Sequence, residues 1–243
     1  MCTHTSVKDK VIKIEERFSA TISNTNLVSI FNKPNYHING FSHPNMLVIP
    51  QQFPKTLAPA VWGIVPNNTA SNQIKAYYKN AIKFGGGLNA KAEKLFDHFI
   101  YKTSIYSQRC IIPVSGFFES HDFKNTKYPF YIHQKNNAIF GLAGIYTVID
   151  NFITFSIITK PAQPYFAEIH NLKQRQPVIL NANQEQLWLQ DQLTQSEIET
   201  IVNTTNNTDI FEAYPVSKSL FKPQIDSNVA SIITPFVYPE LNA

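Results

Sequence analysis

From Arg109 onward the chain is a succession of short runs rich in Ile, Val, Phe and Tyr, separated by turn-prone segments such as HDFKNTK and QKNN. β-Branched and aromatic residues suit the pleated, half-buried surface of a sheet, and short runs bounded by turn residues predict strands. The runs are RCIIPVSGFF, YPFYIH, AIFGLAGIYTVI, FITFSIITK and QPVIL. This half of the chain is therefore predicted to be mostly sheet.

Helical patterns flank the predicted strands. Apolar spacing predicts one helix over 71–83, ended by Gly85-Gly86-Gly87, a second over much of 90–106, and helical segments within 183–204 before a closing strand in FEAYPVSK. We expect an α+β fold on a curved, mostly antiparallel β-sheet with flanking helices. No repeat or linker divides the chain, which predicts a single domain over 1–243 with 227–243 as a C-terminal tail.

Composition excludes several classes of protein. The chain has 243 residues, of which 43% are hydrophobic and 16% charged, so it can bury a sizeable core, and its net charge of +4 favours a polyanionic partner. No apolar run is long enough to span a membrane and the N-terminus has no signal-peptide core, so we expect a cytoplasmic protein that contacts no membrane. Two cysteines and seven scattered histidines predict no disulfide framework, metal or cofactor, and we expect a monomer.

Cys2 follows the initiator methionine, and small residues at position two generally permit its removal. Cys2 would then carry an α-amine and a thiol together, titrating near ~8 and ~8.5, so that a usable fraction of each is nucleophilic at neutral pH. An amine forms a Schiff base with a carbonyl, and the adjacent thiolate can close on that imine to give a five-membered thiazolidine. Alternatively, Cys2 is a chance residue in a frayed terminus.

The segment LNAKAE (88–93) follows the glycine run. The amide of Asn89 can hold an amine or a carbonyl, and Lys91 can contact a phosphate. Alternatively, Asn89 caps the following helix and Lys91 is a solvated surface charge.

The segment RCIIPVSGFFES (109–120) ends a buried apolar strand at Glu119. Flanked by Phe117 and Phe118, this carboxyl could be desolvated and its pKa raised, as acid/base work requires. It could equally pair with Arg109 or point into water. Cys110, among apolar residues, is interpreted as a core thiol.

His170 lies in AEIHNLKQRQPVIL (167–180), a polar connection between two predicted strands. Histidine moves protons near neutral pH, although a single histidine in a loop is more often not catalytic. Arg175 could bind a phosphate with both arms of its guanidinium or simply lie on the surface. Trp62, in VWGIVP (61–66), could stack on an unpaired base or anchor the core.

Taken in order, these segments resemble the SOS response-associated peptidase (SRAP) family, the abasic-site processing proteins. The resemblance runs from Met1 to about Asp226. The stretches that carry it are Met1-Cys2, VWGIVP, LNAKAE, RCIIPVSGFFES, TFSIITKPA, IHNLKQRQPVIL and AYPVS.

The resemblance implies a half-open barrel and an N-terminal cysteine that forms a thiazolidine with the ring-opened abasic sugar in single-stranded DNA. By motif position, Cys2 is the nucleophile, Asn89 positions its amine and the sugar, Glu119 orients or deprotonates the amine, and His170 is the acid/base for sugar ring opening. A second set of residues matches positions on the DNA-binding surface of the family: Trp62, Lys91 and Arg175.

Several positions depart from the family pattern. Thr3 and His4 stand where the family commonly has Gly-Arg, so an expected arginine contact with phosphate is missing or replaced. The usual Asn-Ile-Ala-Pro segment is not recognisable in YHINGFSHP (36–44), and LKQ (172–174) is an apparent insertion before Arg175. Lys91 replaces an arginine, which keeps the charge but loses the planar fork.

Three functions therefore compete: covalent capture of abasic single-stranded DNA, an N-terminal-nucleophile cysteine peptidase limited to removing Met1, and a noncovalent single-stranded DNA-binding module. A Schiff base at an abasic site also permits β-elimination, which would make the protein a lyase. Mass analysis of the protein before and after incubation with an abasic strand separates them.

Overall fold

The computed structural model describes residues 2–241 and forms two sheets with helices around them. The strands are β1 His4–Val7, β2 Asn35–Asn39, β3 Asn45–Pro50, β4 Ala58–Trp62, β5 Asn89–Lys91, β6 Arg109–Val114, β7 Gly116–Phe123, β8 Thr126–Gln134, β9 Phe140–Ile149, β10 Phe152–Pro161, β11 Arg175–Pro177, β12 Ile179–Leu180 and β13 Phe211–Pro215. The α-helices are α1 Val11–Phe18, α2 Val28–Phe31, α3 Ile74–Ala81, α4 Tyr101–Ser107, α5 Pro164–Ile169, α6 Ala182–Trp188 and α7 Gln195–Asn203.

The first sheet has the order β13-β8-β7-β1-β2, and all of its pairings are antiparallel. In the second sheet β10 pairs with both β4 and β9, and this closes β10, β4, β3, β6 and β9 into a ring. Only the pairings of β10 with β4 and β5 are parallel among the named strands of the described chain. The predicted α+β fold on a curved, mostly antiparallel sheet is confirmed.

Strand β6 shows why this part of the sequence is an unbroken apolar run. Side chains alternate between the two faces of a strand, and here both faces are covered. Ile111 packs in a cluster with Trp188 of α6, whereas Ile112 packs in a second cluster with Phe155 of β10. The second cluster also contains Cys2.

The N-terminal segment is built into the first sheet. Strand β1 lies between β2 and β7, with His4 opposite Asn39 on one side and Phe118 on the other. The backbone N–H of Gly40 donates to the carbonyl oxygen of Thr3 at 2.9 Å, and Cys2 is completely buried. The alternative of a frayed terminus at Cys2 is therefore wrong, because sheet pairing holds the chain directly after it.

The prediction for 71–83 is confirmed, with α3 extended by 3₁₀ turns at both ends and Gly85 in the left-handed conformation. A side chain at Gly87 would meet the carbonyl oxygen of Ile64 at 2.5 Å, so this position of the glycine run requires glycine. The predicted helix over much of 90–106 is wrong in its first half, because β5 ends at Lys91 and pairs with β10, and only a 3₁₀ turn over Ala92–Lys94 follows it. The α-helix forms only over Tyr101–Ser107. Tertiary pairing has overridden local propensity there.

The helical patterns within 183–204 correspond to α6 and α7, and each begins with a capping box. Residues 227–241, in the segment expected to be a tail, lie against the first sheet. The side-chain oxygen of Asn228 accepts from the backbone N–H of Tyr36 at 2.8 Å, Ile232 is buried, and the N–H of Phe236 donates to the carbonyl of Pro215 at 2.8 Å.

Candidate active-site cleft

A cleft of about 480 Å³ opens beside the N-terminal strand. Strands β1, β7 and β8 and the connection after α5 form most of its wall. The lining residues are Thr3, His4, Phe41, Phe118, Glu119, Ser120, Lys127, His170, Leu172, Lys173 and Phe221. Glu119 and His170, singled out in the sequence, therefore share one cavity although 51 positions separate them.

Cys2 lies directly before the cleft wall formed by Thr3 and His4. Its side chain is buried, with Sγ 3.9 Å from the carbonyl oxygen of His4. Burial raises the pKa of the Cys2 thiol well above its ordinary value, and the nearby carboxylate of Glu119 raises it further. In this state the sulfur is a neutral thiol, which needs a proton acceptor before it can act as a nucleophile.

Glu119 and His170 form a buried contact. Oε2 of Glu119 lies 3.2 Å from Nδ1 of His170, and both side chains are 5% exposed. Burial raises the pKa of Glu119 to about 7 and lowers that of His170 to about 4. Near pH 7 the carboxyl group is therefore about half ionised beside a neutral ring, so the contact is not an ion pair between two full charges.

The backbone sets the tautomer of His170. Its Nδ1 lies 2.9 Å from the carbonyl oxygen of Arg175, and a carbonyl can only accept, so Nδ1 carries the hydrogen and Nε2 carries the lone pair. A carboxyl group that titrates near neutral pH beside a neutral imidazole can take up and release protons.

Asn89 lies on β5, one residue after Leu88, which packs in the cluster that contains Cys2. Asn89 lines a neighbouring groove of about 750 Å³ with Tyr77 and Tyr101, and it is not among the residues lining the first cleft. Its side-chain oxygen is buried and has no hydrogen-bond partner among residues 2–241. An unpaired buried acceptor is costly, and a donor that reached it would relieve that cost.

The residues expected on a DNA-binding surface lie in three different environments. Trp62 is completely buried, lies 6.2 Å from Phe155 between ring centres and donates from Nε1 to the carbonyl oxygen of Leu88 at 3.0 Å. Its assignment to a base-stacking surface is therefore corrected: Trp62 is a core residue. Lys91 is exposed.

Arg175 is engaged within the protein. Its guanidinium donates to both carboxylate oxygens of Glu93, at 2.7 and 2.9 Å, and to the carbonyl oxygen of Thr159 at 2.8 Å. A phosphate would have to displace Glu93 to use the same fork.

The sequence interpretation missed the cations and aromatic rings that line the cleft. Lys127 and Lys173 bring positive charge, and Phe41 and Phe221 are 44% and 38% exposed. Lys173 belongs to the inserted LKQ and Phe41 to the unrecognised 36–44 segment, so the departures from the family pattern were a signal that could have identified these two residues. No such signal marks Lys127 or Phe221.

Across residues 2–241, no three His, Cys, Asp or Glu side chains are grouped so as to hold a metal ion. No helix in the same range is both long and apolar enough to cross a bilayer.

Comparison with known proteins gives consistent matches. The family model described as SOS response associated peptidase (SRAP) matches residues 1–223. The abasic site processing protein YoqW of Bacillus subtilis is 28% identical over 226 residues, covering 87% of this chain and 96% of that protein. The abasic site processing protein YoaM of the same organism is 30% identical over 172 residues, covering 68% of this chain and 70% of that protein.

Solved structures share the fold. A crystal structure of a protein from Bacteroides thetaiotaomicron superposes with a TM-score of 0.84 at 27% identity, covering 97% of this chain and 100% of that one. A protein from Bordetella bronchiseptica superposes with a TM-score of 0.70 at 18% identity, covering 89% and 100%, and supports the fold alone.

Proposed function

Because this chain belongs to the SOS response-associated peptidase (SRAP) family, we propose that it processes abasic sites in DNA, with Cys2 bonding covalently to the ring-opened sugar. The observation that carries the proposal is the location of Cys2: it is pinned by β1 beside a cleft that contains a buried carboxyl and a buried imidazole. The names of the relatives support abasic sites as the target.

The reaction begins once Met1 is removed and Cys2 has a terminal α-amine. The amine attacks the C1′ aldehyde of the open sugar, water leaves to give an imine, and the sulfur then adds to the imine carbon. The product is a five-membered thiazolidine, whose mass is that of protein plus DNA less one water. Amine and thiol stand on one residue, so the second bond forms within a single molecule.

Glu119 and His170 supply the proton transfers. The Cys2 amine must be neutral to attack, and a carboxylate whose pKa is about 7 can accept its proton near neutral pH. The lone pair on Nε2 of His170 accepts the proton of the C1′ hydroxyl as the C1′–O4′ bond of the sugar ring breaks, and the same nitrogen returns the proton to O4′, which becomes the 4′-hydroxyl. Asn89, with its unpaired buried oxygen, offers an acceptor to the Cys2 amine from the side of β5.

The cleft has the chemistry expected of a binding site for single-stranded DNA. Lys127 and Lys173 attract phosphates, and the exposed rings of Phe41 and Phe221 can stack on unpaired bases. A duplex keeps its bases stacked inward, so these rings favour a single strand.

The test is intact-protein mass spectrometry before and after incubation with a single strand that contains one abasic site. We expect the protein mass to lack Met1 and a new species to appear at the mass of the thiazolidine. Cys2→Ala should give no such species, while Cys110→Ala, which alters a thiol fully buried in the core, should behave as the wild type. A Met1-free wild type that forms no adduct would overturn the proposal.

Removal of Met1 by the protein itself is a second proposed activity, favoured by the charge interaction between Glu119 and the Cys2 thiol. Glu119 would accept the thiol proton while the sulfur attacks the Met1 carbonyl, and would return it to the Cys2 nitrogen as the Met1–Cys2 amide bond breaks to leave a thioester. Water would then hydrolyse the thioester, releasing methionine and restoring the Cys2 thiol. The three proteins are produced in cells without methionine aminopeptidase. Cys2→Ser and Glu119→Gln should then retain Met1, whereas the wild type should lose it. Equal retention in all three proteins would contradict it.

A further inference from the structure

A chain of hydrogen bonds runs from the cleft to the surface through His4, His37 and Ser227. Nδ1 of His4 lies 2.8 Å from Nε2 of His37, and Nδ1 of His37 lies 2.6 Å from Oγ of Ser227. His4 lines the cleft, His37 is 8% exposed, and Ser227 is half-buried. Ser227 lies beyond residue 223, where the family match ends.

The surrounding contacts fix His37 in place. The side-chain oxygen of Asn228 accepts from the backbone N–H groups of Tyr36 and His37, at 2.8 and 3.3 Å. The ring of His37 also meets that of Phe118 edge-on, with centres 5.5 Å apart. The segment after residue 226 therefore holds the end of this hydrogen-bonded series that lies away from the cleft.

Both imidazoles are neutral near pH 7. Burial lowers the pKa of His4 to about 3, with His37 contributing, and burial lowers the pKa of His37 to about 4. A neutral ring has one donor and one acceptor nitrogen, so the hydrogen bonds that link His4, His37 and Ser227 can run in only two directions. In one, Ser227 donates to His37, His37 to His4, and Nε2–H of His4 is a donor; in the other, every bond is reversed and that nitrogen accepts.

We propose that His4 is a catalytic residue whose Nε2–H hydrogen-bonds the C1′ aldehyde oxygen of the open abasic sugar, with His37 and Ser227 as positioning residues. An aldehyde oxygen can only accept, so a bound sugar selects the arrangement in which His4 donates. This inference rests on the proposed function and names the group that polarises its substrate. His4 is two residues from Cys2, at most about 7 Å along the backbone.

The lone pair of the Cys2 amine forms the N–C1′ bond while the C=O electron pair moves onto oxygen, which the Nε2–H of His4 stabilises. Glu119 carries the amine proton to that oxygen, giving a carbinolamine, and the oxygen later leaves as water when the imine forms. A neutral donor stabilises the developing charge without protonating the amine, and His37 holds the ring in the donating tautomer.

The experiment measures single-turnover capture of an abasic single strand at saturating protein, and separately the affinity for an oligonucleotide with a tetrahydrofuran abasic analogue, which has no aldehyde. His4→Phe should slow capture about 100-fold, as expected for loss of one donor to a developing oxyanion, while the affinity for the analogue stays the same. His37→Phe should slow capture less, and Ser227→Ala less again. Ser231→Ala, which removes an exposed hydroxyl from the same segment, is the matched control and should equal the wild type.

The double variant His4→Phe/His37→Phe shows whether His37 affects capture through His4 or independently of it. If His37 acts only through His4, the double variant captures no more slowly than His4→Phe alone. Three results would each overturn the inference. They are capture by His4→Phe at the wild-type rate, a loss of capture rate in the double variant equal to the product of the two single losses, and a loss of affinity of His4→Phe for the analogue that parallels its loss of capture rate. A wild type that forms no adduct at all would instead refute the proposed function.

Discussion

Replacing Glu119 by glutamine should stabilise the folded protein at pH 8 and leave its stability unchanged at pH 4.5. Burial raises the pKa of Glu119 from its ordinary value of 4.5 to about 7. Between these values the folded protein binds a proton that the unfolded chain has released, so stability falls as pH rises through this window. Glutamine is always neutral and avoids that loss.

The size of the effect follows from the shift. A difference of about 2.5 pKa units, at ~1.4 kcal/mol each, gives about 3 kcal/mol between pH 4.5 and pH 8. His170 has the opposite dependence, because burial lowers its pKa to about 4 and acid then favours unfolding. Its contribution is present in both proteins and cancels in the difference between them.

Urea denaturation of the wild type and Glu119→Gln at several pH values measures this difference. Glu16→Gln, which makes the same substitution at an exposed acid on α1, is the matched control. Two results would each show that ionising the buried Glu119 carboxyl does not destabilise the folded protein. In one, the free energy of unfolding of Glu119→Gln exceeds that of the wild type equally at pH 4.5 and pH 8; in the other, it does not exceed that of the wild type at pH 8.

Three further predictions concern the cleft and the core. The ratio of the wild-type capture rate to that of Glu119→Gln should rise between pH 5 and pH 7 and then level off, because the pKa of Glu119 is about 7; a flat ratio in stopped assays across this range would remove Glu119 as the base. Lys127→Gln and Lys173→Gln should each reduce the slope of log affinity against log salt for single-stranded DNA by about 0.7, as measured by fluorescence anisotropy, and unchanged slopes would place the phosphates elsewhere. Trp62→Phe should lower the free energy of unfolding by about 2–3 kcal/mol in urea titrations, since it removes buried volume and the hydrogen bond to Leu88, whereas an unchanged value would contradict its role in the core.

The sheet was predictable because its signal is local. Runs such as AIFGLAGIYTVI contain β-branched and aromatic residues between turn residues, and they became β9 and its neighbours. The strand at 89–91 was not predicted, for the opposite reason. Three residues are too few to show a period, and the strand exists only through its pairing with β10.

The site residues divide in the same way. Glu119 could be selected as a carboxyl at the end of an apolar strand, but its contact with His170 depends on how β7 and α5 pack. Trp62 and Arg175 have side chains suited to DNA, yet one is sealed in the core and the other is held by Glu93. Residue type indicates what a side chain can do, and packing decides whether it is accessible.

By itself the sequence determined the strand-rich α+β fold, the family resemblance and the aminothiol that Cys2 would carry, because each depends on the residues of short segments and on the order of those segments along the chain. Only the tertiary structure decided that Cys2 is held by β1 instead of fraying, and that His4 is hydrogen-bonded to His37, which in turn is hydrogen-bonded to Ser227. These outcomes depend on burial and on contacts between residues far apart in the chain, and local sequence patterns carry no record of either.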